Sequence, residues 1–471
     1  MNAVRTPMTA HQRWVLILAS IGAFMISMDS LIVTTALTTI RRELGASIET
    51  AQWTVNAYNL AFAVLLVTGA ALGDRFGRRR GFVAGLGLFA AGSAACALAP
   101  GIGWLIAARA VQGVGGALVL PLALTLLAAA FPPQRRGWAL GIFVGVVGLG
   151  CLFGPLVGGA VVQGLAWQGI FWINVPIGAA AILLARWRIG ESRGPDGRLD
   201  AGGLVLVTGG ALGLVWAVVR EPAVGWGSPE VLGSLAAGAL LVAAFVGWEL
   251  RARAPMLPMR LFRQRAFAAA NAAQLLLYAS QFGALFLLTQ LLQVALGYGP
   301  LAAGLGLMPW SGLLMVGGPL GGTLADRIGE RSLLVGGLVL QTAGMTWLAL
   351  VARPDLAYVQ LLPPLVISGI GLSIAMPAAQ RAVMGAVEPA DLGRAAGVSS
   401  TLRWLGAVFG IAILGAVFES AGSLASPAAF AAGFTPAIGV GAGLALGAVV
   451  IGLVVPGRGR AAQAAAAAEA A

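Results

Sequence analysis

The stretch FMISMDSLIV (24–33) places one carboxylate, Asp29, where nearly every neighbour is apolar. An apolar medium penalises a charged carboxylate, and a nearby arginine favours it. A group held between those effects can load and release a proton as its access to water changes. Two cations, Arg109 and Arg403, also stand inside apolar runs. Arg109, in LIAARAVQGVGGAL, has Gln112 three residues on and nearly on the same helix face. An ionisable side chain facing lipid is costly, so each of these groups turns toward the protein interior or a watery cavity. There it is either a carrier of charge or one half of a buried structural ion pair.

Other chemistries find little support. There is no GxxxxGK phosphate loop, and the glycine-rich GVGGALVLPLAL falls inside an apolar run. The single histidine, His11, cannot build a metal cluster, and Cys96 and Cys151 lie in apolar runs as expected of buried thiols. No cofactor, no metal and no enzymatic activity are expected. A net charge of +12 would suit nucleic acid, but a chain that is 59% hydrophobic and 10% charged suits a lipid bilayer instead.

The elements that position these residues follow from hydropathy. A crossing needs about 20 consecutive apolar residues, and fourteen stretches qualify, from 14–38 to 433–455, with the tenth at 301–324. The 29 cations are all arginine. With a cytoplasmic N-terminus, twenty-three fall in cytoplasmic segments and four (Arg41, Arg42, Arg220 and Arg353) in external ones. Arg109 and Arg403 are the two that remain. The bias predicts that both termini are cytoplasmic. The length of 14–40 and the spans that follow argue against a cleaved signal. One internal repeat is visible: ALGDRFGRRR (71–80) follows the second span and TLADRIGERS (323–332) the tenth, both fitting LxDRxGxR. The same loop on the same side predicts parallel six-span repeats. The expected divisions are an N-terminus (1–13), a six-helix bundle (14–187), cytoplasmic loops with two extra spans (188–265), a second bundle (266–455) and a tail (456–471).

These motifs resemble the major facilitator superfamily, and within it the fourteen-span drug:proton antiporters, from Trp14 to about Val455. Four stretches carry the likeness, one of them WQGIFWINVPIG (167–178) together with WTVNAYNL (53–60), both similar to family-typical runs, and the first span adds a further match. Asp74, Arg75, Gly77 and Arg78 match a loop that in the family latches the two halves in one conformation. Asp326, Arg327 and Gly329 repeat it; the usual leading glycine is Ala70 in the first copy and Gly322 in the second. Arg109, Gln112 and Gly113 match RxxQG, whose arginine the family assigns to proton coupling. Gly150, Gly154, Pro155, Gly158 and Gly159 match GxxxGPxxGG, the signature of exporters, a small-residue face that lets one helix seal against another. MDSLIVTTALT resembles the first-span pattern LDxTIVNVALP, keeping Asp29 but with Thr34 and Thr38 for its asparagine and proline.

The resemblance implies an all-α membrane protein with the major facilitator fold, fourteen spans and a bacterial inner-membrane location. It implies proton-coupled export of an amphipathic drug, antibiotic or secondary metabolite, cationic in some cases, with Asp29 and Arg109 coupling the proton. Candidate cavity residues are Asn56, Tyr58, Gln112, Gln274, Tyr278, Gln281, Trp310 and Arg403, with Asn59, Gln290 and Gln341 beside them. Trp167, Phe171 and Trp172 suit an interfacial aromatic belt. Two other readings stand: an exporter of an endogenous lipid or glycolipid precursor, and a non-transporting membrane sensor or scaffold.

Overall fold

The computed structural model describes residues 8–193, 200–252, 255–313, 328–354, 356–388 and 391–456. All regular structure among them is helical. The helices are α1 (Ala10–Glu43), α2 (Ile48–Phe76), α3 (Arg78–Ala97), α4 (Ile102–Ala130), α5 (Pro133–Gly164), α6 (Gly169–Trp172), α7 (Asn174–Arg188), α8 (Ala201–Val224) and α9 (Pro229–Glu249). After a 3-10 turn at Met259–Arg263 come α10 (Arg265–Gln290), α11 (Pro300–Gly306), α12 (Met308–Ser311), α13 (Glu330–Val351), α14 (Tyr358–Gly385), α15 (Leu392–Ala421) and α16 (Pro427–Gly452).

Thirteen helical segments of the described residues are long and apolar enough to cross a bilayer, α6 and α7 together forming one of them. The expected tenth span begins as α11 and α12, and the rest of it lies outside the described residues. Helix starts are capped where the chain leaves water: Thr9 and Gln12 form a capping box on α1, and Ser47 accepts from the Thr50 amide on α2. Proline occurs within α4, α5 and α14, as membrane helices tolerate.

The described residues group into two compact units. The first draws on Met1–Leu212, Leu240–Met256 and Tyr298–Leu305, the second on Gly213–Ala239, Leu257–Gly297 and Gly306–Ala471. The α8–α9 hairpin is thus divided between them. Both units are packed through glycine, because lipid provides no hydrophobic drive between helices and close backbone approach must supply the attraction. In the first, Gly69 and Gly113 of α2 and α4 meet the backbone at Ala117 and Tyr58, and Gly115 of α4 meets Phe89 of α3. In the second, Gly406 and Gly410 of α15 lie on the carbonyls of Leu275 and Ala279 of α10, and Gly371 of α14 lies on α13.

A polar clasp ties the 3-10 turn before α10 to the start of α15. Both terminal nitrogens of Arg260 donate to Asp391, at 2.7 and 2.6 Å, and Arg394 adds a contact at 3.4 Å. The Arg260 hydrogen bonds hold the Asp391 carboxyl below its ordinary range. The stabilisation is therefore present above the unfolded carboxyl's value, about 4, and is lost as pH falls through the lower folded-state value. Arg260→Gln should lower the thermal midpoint at pH 7, with the gap to wild type closing below about pH 4. A gap that persists at low pH would mean that the arginine acts through packing instead.

Candidate functional site

A fully buried polar knot joins six helices of the first unit, α1, α2, α3, α4, α6 and α7. Asp29 sits midway along α1 and Arg109 on α4, both with 0% exposed surface. Arg109 Nη1 donates to Asp29 Oδ2 at 2.5 Å and to Gln112 Oε1 at 2.7 Å, and its Nε donates to the Thr54 carbonyl of α2 at 3.0 Å. Asp29 Oδ1 accepts from Gln112 Nε2 at 2.8 Å and from Asn174 Nδ2 of α7 at 3.0 Å. Ser93 of α3 accepts from Gln112 and Asn174 and donates to the Phe171 carbonyl at 2.9 Å. The guanidinium also lies over the Tyr58 ring, 4.2 Å from its centroid, and Tyr58 stacks on Phe62.

This geometry has two chemical consequences. Three donors converge on two carboxylate oxygens, so neutralising Asp29 removes an acceptor that α4 and α7 both need. Arg109 Nη2 is buried with no hydrogen-bond partner among the described residues. The arginine thus has no ready substitute for Asp29, and loss of one member of a buried pair costs about 3–5 kcal/mol.

The small-residue face of α5 lies along the same part of α1. A Cβ on Gly150 would meet the Phe24 carbonyl at 2.9 Å, and one on Gly154 the Met28 carbonyl at 2.9 Å. Gly158 lies on the Ile32 carbonyl and Gly159 on Pro300 and Leu301 at the start of α11. Gly304 of α11 in turn lies on the Pro155 carbonyl. The glycines therefore bracket Asp29, from Phe24 to Thr35.

At the arginine-rich loop, Gly77 has φ +112°, a conformation that favours glycine. Asp74 and Arg78 form an ion pair at 2.8 Å, and Arg75 lies over the Phe76 ring. The Glu191 carboxylate, beyond α7, accepts from the backbone amides of Arg79 and Arg80 at 3.0 and 3.3 Å, capping the start of α3. Gly329 of the second loop repeats the positive φ, at +87°; Asp326 and Arg327 lie outside the described residues.

In the second unit, Arg403 of α15 lies over Tyr278 of α10 at 5.4 Å and donates to Ser400 at 3.2 Å. It forms no ion pair among the described residues. Tyr278 stacks on Phe282, which meets Trp404 edge-on. Gln274 bridges Ser399 and Gln380 at 2.6 and 3.2 Å. Trp310, Ser368 and Gln341 form a second buried chain. Gln281 and Gln290 are buried on α10, and Asn56 and Asn59 of α2 are fully buried with no hydrogen-bond partner among the described residues.

The structure thus brings Tyr58 and Gln112, read from sequence as cavity residues, into the Asp29 knot. It adds Ser93, Asn174 and Glu191, which sequence reasoning missed. Asn174 lies in the motif WINVPIG and could have been flagged as an amide in an apolar run; Glu191 had no such signal. The aromatic belt is corrected in part. Trp167 and Phe171 are buried, meeting edge to face with the Arg109 guanidinium 5.8 Å from the Phe171 ring, and of the three only Trp172 is exposed, at 44%.

The Major Facilitator Superfamily profile matches residues 19–411 and again 270–470. The cephamycin export protein CmcT of Amycolatopsis lactamdurans is 38% identical over 459 residues, covering 96% of this chain and 93% of that one. The tetracenomycin C resistance and export protein of Streptomyces glaucescens is 36% identical over 412 residues, 86% and 76% of the two chains. The xylose transporter XylE from E. coli shares the fold at 14% identity, with a TM-score of 0.63 over 96% of this chain and 99% of that one. The chain is a multi-pass membrane transporter, not an enzyme, and it belongs to the major facilitator superfamily.

Proposed function

We propose that the protein exports an amphipathic antibiotic or secondary metabolite from a bacterial cell by alternating access, exchanging it for protons carried at Asp29. Both termini are then cytoplasmic. The observation that carries this reading is the buried Asp29–Arg109 pair, with Gln112 and Asn174 on the same carboxylate. The exporters among its relatives support the direction of transport and the class of cargo.

In the described conformation Asp29 has no exposed surface, so it exchanges no proton with water. Access must come from a second conformation in which α1 and α5 separate or tilt. A proton arriving there neutralises Asp29, frees Arg109 Nη1 and loosens the tie from α1 to α4 and α7. Loss of that proton on the other side restores the pair. The glycine face of α5 allows α1 to reseat at close range without side-chain obstruction. Arg403, Tyr278 and Phe282 offer the second unit's polar and aromatic contacts to substrate. One charge crossing about 150 mV is worth roughly 3.5 kcal/mol, enough for about a 300-fold concentration ratio.

The reading is tested with the purified protein in proteoliposomes, using a fluorescent amphipathic compound chosen by a susceptibility screen of a deletion strain. Accumulation should follow an imposed pH gradient and vanish with a protonophore. Accumulation indifferent to the protonophore would overturn proton exchange.

The Asp74–Arg78 loop serves in this reading as the latch. Asp74→Asn and Glu191→Gln should each leave expression intact and slow flux several-fold, because each removes one charge that fixes the start of α3. Wild-type flux in both would reduce the loop to a topology signal.

A further inference from the structure

We infer that the furrow between α3 and α7 binds an acidic phospholipid. It has a volume of about 580 Å³ and carries Arg79, Arg80 and Arg186 at one end. Val83, Ala84, Gly87 and Ile182 line the remainder. Charge and shape both fit an amphiphile. Three guanidiniums meet one carboxylate, Glu191, which lies 3.6 and 3.7 Å from Arg79 and Arg80, so two positive charges remain. Arg186 forms no ion pair among the described residues, and the Arg80 side chain is 67% exposed. The neighbouring acid, Asp74, is already paired with Arg78.

The apolar stripe descends from the cations in helical register. Residues 80, 83, 84 and 87 share one face of α3, and 182 and 186 one face of α7. Seven residues of α3 span about 10 Å, further than the headgroup layer of roughly 5–8 Å. A phosphate at the arginines therefore leaves its acyl chains on Val83 and Gly87. The furrow is open at that level: a Cβ built on Gly87 meets nothing within 4 Å. Basic pockets between membrane helices hold lipid phosphates by this combination of charge and apolar wall. A soluble phosphate would use the arginines alone and leave the stripe unused.

The test is native mass spectrometry of the full-length protein titrated with phosphatidylglycerol or with phosphatidylcholine of the same chains. Wild type should retain phosphatidylglycerol at least tenfold more tightly. Arg80→Gln with Arg186→Gln should weaken that retention roughly thirty-fold, at about one charge's worth of attraction per arginine. Gly87→Leu keeps every charge and fills open space, so it should fold; it should lose phosphatidylglycerol while leaving weak binding of inorganic phosphate untouched. Equal retention of the two lipids by wild type would overturn the proposal. So would Gly87→Leu retaining phosphatidylglycerol that inorganic phosphate displaces, the behaviour of an ion site without a lipid furrow.

Discussion

Asp29→Asn should insert and fold, yet lose export driven by a pH gradient. The amide keeps the size of the carboxylate but offers one acceptor oxygen where Arg109, Gln112 and Asn174 together present three donors. It also cannot titrate. The variant resembles a carrier that is always protonated, so it should still exchange substrate downhill. The steady-state ratio in proteoliposomes should fall from as much as about 300-fold toward unity. An unpaired Arg109 should also lower stability by about 3–5 kcal/mol, so thermal unfolding is measured in parallel. Wild-type accumulation by Asp29→Asn would move the proton site elsewhere and leave Asp29 a structural anchor. Arg109→Gln gives an independent check. It should impair coupling as well, whereas a purely structural pair would lose stability without changing the pH dependence of flux.

Gly154→Leu should abolish export at near-normal insertion. Leucine favours the membrane, but at this position its Cβ alone would lie 2.9 Å from the Met28 carbonyl and 3.1 Å from Leu31 Cβ. The rest of the side chain would push α5 off α1, one residue from Asp29. Overpacking of this kind costs about 1–3 kcal/mol, and flux should fall at least tenfold because the two helices cannot reseat. Gly154→Ala should give an intermediate loss. Gly145 provides the control, since a Cβ there meets nothing within 4 Å, and Gly145→Ala should transport normally. Equal flux in Gly154→Leu and wild type would make the motif a by-product of a chain with 69 glycines.

Much of the architecture was legible in one dimension. Apolar stretches of membrane-spanning length fix the helices, because a bilayer forces each crossing to satisfy its own backbone. That Asp29, Arg109 and Arg403 fall inside such stretches follows from the same pattern, and so does the cost of placing an ionisable group there. Gly77 and Gly329 were identified from the loop repeat, and both take the positive φ that the turn needs. The pairing of Asp29 with Arg109 was one of the readings that the sequence allowed.

What the sequence could not decide was who meets whom. The donors to Asp29 lie 80, 83 and 145 residues away, and no local periodicity encodes contacts between helices. Asn174 and Ser93 look like ordinary small polar residues until packing brings them to one carboxylate. Glu191 reaches the start of α3 across 112 residues. Trp167 and Phe171 carry the composition of an interface but are buried against each other, with Phe171 beside Arg109. Sequence by itself determined the helices and the ionisable residues that fall inside them, because hydropathy acts residue by residue. Tertiary structure alone decided the partners, because hydrogen bonds and glycine contacts depend on which helix faces the next.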